Sequence, residues 1–78
     1  MTAKEIQQDH RRLLNNLKLL QTQYSAETLS EIIGVSRATW FNRMKEPWRS
    51  FCYDDFKAIS RHCKIDVIQI IDGELKIK

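Results

Sequence analysis

One glycine, Gly34, stands between two short runs whose apolar residues recur at helical spacing, and few folds accommodate that arrangement. The runs lie in the stretch 25–47, SAETLSEIIGVSRATWFNRMKEP. Ser25 is a helix-capping residue type, and Ala26, Leu29 and Ile33 behind it share one helical face. Ser30 is on that same face, a small side chain where a second helix crosses closely. Gly34 comes after the last apolar position, where a left-handed residue ends a helix at little steric cost. Ser36 caps a second helix, and Pro47 stops it, having no N–H to donate and disfavouring helix in the residue before it.

The second helix, expected over 37–45, has two unlike faces. Trp40 and Met44, one turn apart, form the inward edge. Ala38, Asn42 and Lys45 align at i, i+4 and i+7 on the other side, flanked by Thr39 and Phe41. Arg37 stands in the first turn. The outward face is short, polar and basic, the make-up of a helix that enters the major groove of DNA.

The order Leu29, Ser30, Ile33, Gly34, Val35, Ser36, Trp40, closed by Lys45 and Pro47, resembles the helix-turn-helix of the lambda-repressor-like, Cro-type family of phage and bacterial transcriptional regulators. The run GVSRATWFNRMKEP carries most of the likeness. The later FCYDDFKAISRHCKIDVIQIIDG is similar to the family's fourth and fifth helices, so the resemblance covers roughly residues 10 to 73. Ser30 replaces the family's usual Ala. Trp40 fills a slot usually given to Ile, Val or Leu, which implies wider packing between the two helices. The implied fold is all-α, a compact five-helix DNA-binding domain over 1–73 with its helix-turn-helix at 25–47. Residues 74–78 form a tail.

A chain of 78 residues is one small domain. It buries only about 60% of its unfolded surface, so dimerisation would add stability. With 42% hydrophobic and 29% charged residues the composition is globular. The net charge of +3 is concentrated: between Ser36 and Ser50, Arg37, Arg43, Lys45 and Arg49 face the single acid Glu46. A local basic patch is the electrostatic footprint of a phosphate backbone, or simply a solvated surface. Its coincidence with the outward-facing helix favours the first. Cys52 and Cys63 stand on one expected helix about 16 Å apart along its axis, whereas a disulfide needs Cα atoms within about 7 Å. Their spacing with His62 matches no zinc motif, so both read as buried free thiols in a reducing, cytoplasmic setting, with no metal or cofactor. No signal peptide or membrane span is visible. Neither a Gly-rich phosphate loop nor a nucleophile–base pair is present, and an enzyme is not expected.

The remaining elements are read from periodicity. A first helix is expected from about Thr2 to Gln21, its stripe made by Ile6, His10, Leu13, Leu17 and Leu20, with Leu14 beside it. His10 reads as a packed or boundary residue, and Leu19 falls off the stripe. Thr22 to Ser25 is a polar connector. After Pro47 a loop holds Trp48, packed locally, and Phe51, turned inward. A fourth helix over Tyr53 to Cys63 places Cys52, Phe56, Ile59 and Cys63 on its core face. Asp54 and Asp55 suit its N-terminal dipole. Asp66 caps a fifth helix from Val67 to Ile71. This helix has more apolar positions than a core contact needs, and Ile68 and Ile71 become candidate dimer contacts. The alternating tail, with Leu75 and Ile77, is either a frayed end or a short C-terminal strand pairing with a second copy.

Two functions are compatible with these features. In the first, the chain is a Cro-like repressor that binds a double-stranded DNA operator, with Ser36, Arg37, Ala38, Thr39 and Asn42 at base edges. Gln23, Ser25, Arg43, Lys45, Arg49 and Ser50 then contact phosphate. In the second, it is a protein-binding module of the anti-repressor type on the same scaffold, using Phe41, Trp48, Leu19 and the isoleucines of the last helix.

Overall fold

The structure is a computed structural model, describing residues 2–73 and 75. Every described element is helical: α1 (Ala3–Tyr24), α2 (Ala26–Ile33), α3 (Arg37–Arg43), α4 (Pro47–Ser50), α5 (Tyr53–Cys63) and α6 (Val67–Ile71). No strand occurs among the described residues. Ile77 lies outside them, so the expected tail pairing does too.

The described residues form six helices where five were expected, because Pro47 acts twice. It prevents α3 from continuing and then occupies the first position of α4. There its missing N–H removes a donor that would have had no partner, and its fixed φ suits a helix start. The segment read as a loop is therefore a short helix, with Trp48 packed against the core and Phe51 buried.

α1 also runs three residues further than expected and absorbs most of the connector. Ser25 alone makes the turn, at φ +76° and ψ 152°, backbone space that favours glycine. It serves both neighbours. Its N–H donates to the Gln21 carbonyl at 2.9 Å, and its Oγ accepts from the Thr28 N–H at 3.2 Å.

α1 packs against α2, α4 and α6, while α2 packs against α3 and α5. Leu13, Leu17 and Leu20 of α1 meet Leu29, Trp40, Phe51, Phe56, Ile59, Cys63 and Ile70 in one core. Burial pushes the Cys63 thiol pKa up, as suits an inert, protonated sulfur. Cys52, by contrast, is exposed. It was expected on the core face, but it precedes α5, which starts at Tyr53 as expected, and serves as its cap. Its N–H donates to the Asp55 carboxylate at 3.1 Å. Ile6 departs from expectation as well: 39% of it is exposed, since the core begins about two turns later, at Leu13.

Asn16, which periodicity does not single out, is buried in the seam between α1 and α6. Its Nδ2 donates to the carbonyls of Ile70 at 2.9 Å and Gly73 at 2.7 Å, and its Oδ1 accepts from the Leu75 N–H at 3.1 Å. The end of α6 has carbonyls without intrahelical partners, and Asn16 supplies them. Arg12 adds a bond to the Asp72 carbonyl at 3.2 Å. Leu75, a candidate dimer contact, is half-buried against its own chain, as is Ile71. Ile68 is 74% exposed.

Candidate nucleic-acid interface

α2 and α3 meet at Gly34, which has φ +76° and ψ 33°, the left-handed conformation expected of it. The Val35 N–H reaches back to the Ser30 carbonyl at 2.9 Å, closing the end of α2. Ser30 is buried and turns its hydroxyl onto the Glu27 carbonyl at 2.8 Å. A small side chain satisfied within its own helix lets the second helix come close.

α3 is held from inside by Trp40, which is fully buried at 0% exposure. Its ring centroid lies 5.2 Å from that of Phe51, and its Nε1–H donates to the Gln21 Oε1 at 2.8 Å. A buried indole N–H without a partner costs about 1–3 kcal/mol, so Gln21 fixes α3 against α1. Sequence periodicity offered no signal for this bond, because Gln21 is one polar residue at the end of a long helix.

With Trp40 inward, Arg37, Ala38, Phe41 and Asn42 are all exposed on one face, and Phe41 reaches 49%. Lys45 is exposed too but stands past the helix. α3 ends at Arg43 rather than 45, its last turn closed by bonds of 3.3 Å from Lys45 N–H to Asn42 and from Glu46 N–H to Arg43. Approaching Pro47 excludes a further α-helical turn.

The hydroxyls expected at bases are partly engaged. Ser36 Oγ accepts from the Thr39 N–H at 3.1 Å and lies 2.9 Å from Thr39 Oγ1, so the two residues form the cap of α3. Ser25 is likewise a cap. Gln23 is exposed on the last turn of α1, and Ser50 is half-buried at the end of α4.

The basic patch is weaker than its residue count. Arg43 is drawn off to Asp55, with N–O 3.2 Å, and its guanidinium lies 5.9 Å from the Phe51 ring centroid. Asp55 thus caps α5 and anchors α3 together, a role beyond the general dipole effect. Arg49 pairs with Glu46 at 3.6 Å, but both are largely exposed, and such pairs contribute little. Arg37 and Lys45 have no ion-pair partner among the described residues.

Arg37 is at the wrong end of its helix for stability. A cation in the first turn faces the positive pole of the helix dipole, and α3 has no acid there. Glu27 and Glu31 line the same shallow groove as Arg37, with Val35 and Ser36, at the α2–α3 junction. An anion arriving from outside would relieve both the dipole and the unpaired guanidinium.

No group of three or more metal-ligating side chains occurs among the described residues, and no helix there is long and apolar enough to cross a membrane. No protein-family model matches the chain, and no curated protein or solved structure matches it either.

Proposed function

We propose that this chain is a sequence-specific double-stranded DNA-binding transcriptional regulator, a Cro-like repressor that reads the major groove with α3. The observation that carries the reading is the division of α3. Trp40 is locked inward by packing and a hydrogen bond, while Arg37, Ala38, Phe41 and Asn42 project together from the opposite face. Arg37 suits guanine O6 and N7, and Asn42 suits adenine N6 and N7. Ala38 and Phe41 suit a thymine methyl. Ser36 and Thr39 contact bases or phosphate from the cap. Lys45 and Arg49 bind phosphate, with Gln23, Ser25 and Ser50 as further backbone anchors, and Arg43 contributes after loosening from Asp55. The protein acts in the cytoplasm, and no step needs a cofactor.

The test is fluorescence anisotropy with a labelled duplex at two salt concentrations, then selection of preferred sites from a random duplex pool. Binding at micromolar protein that weakens steeply with salt is the expected result. Asn42→Ala relaxes preference at one base pair, by about 1–3 kcal/mol of lost discrimination. Lys45→Ala weakens all duplexes alike and lowers the salt slope by about one.

One observation favours a second reading, a protein-binding module of the anti-repressor type. Phe41 is half exposed on the outward face, and two of the four cations nearby are ion-paired. Folded protein that binds no duplex at low salt, while a partner protein is retained through Phe41, would replace the DNA reading with this one.

A further inference from the structure

The first half of α1 carries a surface that the DNA reading does not use. Nothing from Thr2 to Arg12 is buried, yet the side chains there still segregate around the helix. Lys4, Arg11 and Lys18, seven residues apart, make one row along about 21 Å of axis. All three are exposed, and none has an ion-pair partner among the described residues. Glu5 and Asp9 lie a quarter turn or more away.

An apolar strip runs beside that row. The His10 imidazole stacks on the Trp48 indole of α4, with ring centroids 4.2 Å apart and planes within 3°. Gln7, His10, Arg11, Leu14 and Trp48 line a shallow concavity of about 560 Å³. Exposed Ile6 extends the strip toward the helix start.

Charge and ring placement select the occupant. A second copy in antiparallel pairing sets the cationic row against itself. In parallel pairing the row meets the edge at Ile6, where the helix turns into its own core at Leu13 and the neighbouring Asp9 already pairs with Arg12 at 3.7 Å. A single-stranded nucleic acid needs a run of open aromatic faces for its bases, but Trp48 gives one face to His10 and no further aromatic side chain lines this concavity. A helix with its own apolar stripe and an acidic flank satisfies both features over the same length, about four turns.

We propose that α1 and Trp48 dock an acidic amphipathic helix of a partner protein. Its apolar stripe lies on His10, Leu14 and Trp48, and its carboxylates run along Lys4, Arg11 and Lys18. This surface is separate from α3, so its test does not depend on DNA binding.

The experiment titrates the isotope-labelled full chain with a synthetic helical peptide of about four turns, leucines on one stripe and glutamates on one flank, monitored by amide chemical shifts. Expected are shifts confined to residues 3–18 and 47–49, and affinity that falls with salt. The double variant Arg11→Glu, Lys18→Glu, both positions exposed, weakens binding about tenfold, and Leu14→Gln weakens it independently, with circular dichroism showing both folded. Absence of shifts, shifts centred on α3 or α6, or equal binding of a control peptide with lysines for glutamates would overturn the proposal. So would oligothymidylate binding more tightly at these residues, or a dimer by sedimentation that Leu14→Gln dissociates.

Discussion

The molecule makes the same turn twice, thirty residues apart. Ser30, Gly34, Val35 and Ser36 join α2 to α3; Ser60, Lys64, Ile65 and Asp66 join α5 to α6. Gly34 and Lys64 are both left-handed, Lys64 at φ 58° and ψ 43°. The N–H of Ile65 returns to the Ser60 carbonyl at 3.1 Å, as Val35 does to Ser30. The serine hydroxyls differ, Ser30 bonding within its own helix and Ser60 reaching forward to the Ile65 carbonyl. The helices that leave the two turns differ more. α3 buries one aromatic and exposes an arginine, an alanine, a phenylalanine and an asparagine, whereas α6 is aliphatic but for Gln69 and is tied down by Asn16. Two helices joined through a left-handed residue are therefore not themselves a reading device. The candidate function rests on the outward face of α3, and its copy in the turn of α6 serves packing.

The largest expected break falls on the first turn. Trp40→Ala leaves a cavity and an unpartnered Gln21, costing about 3–5 kcal/mol, and denaturant unfolding should show α3 and the core lost together. The second turn should yield to Asn16→Ala, at about 1–3 kcal/mol for the unpaired carbonyls, with faster amide exchange in α6 than in α3. Equal acceleration in both helices would show the two turns are not separately anchored.

Exchanging the turn residues tests the geometric likeness itself. Gly34→Ala is expected to cost about 1–2 kcal/mol; no atom lies within 4 Å of the added Cβ, so the loss is one of backbone conformation. Lys64→Gly is expected to gain about 0.5–1 kcal/mol. Thermal melts in which both substitutions moved stability the same way would break the comparison. The smallest effect sharpens it: Arg37→Gln, which removes the cation without adding a carboxylate beside Glu27 and Glu31, should raise stability by about 0.3–1 kcal/mol through the dipole while sharply weakening duplex binding. A variant both less stable and still binding would mean Arg37 is structural.

The first turn was legible because Gly34 and Ser36 are residue types with strong local preferences. The second was only half legible: Asp66 announces a cap, but nothing in a lysine announces a left-handed backbone, which the packing of Ile65 and α6 imposes. Pro47 carried two messages and only the stop was read. Asn16 comes directly after another asparagine in a leucine-rich helix, and only the arrival of α6 distinguishes them. The exposed face of α3 came directly from helical spacing, since Trp40 fixes its orientation. The pairing of Arg43 with Asp55 did not, because it joins two helices twelve residues apart.

The seam at Asn16 has a consequence in time. Its bonds to Gln69, Ile70, Gly73 and Leu75 span 53 to 59 residues of chain, whereas the caps and turns elsewhere close over a few. Bringing such distant segments together carries the greatest loop-closure entropy in the molecule. α2, α3, α5 and α6 can assemble from neighbouring contacts, so the closure of α6 onto α1 is expected to be a late step of folding.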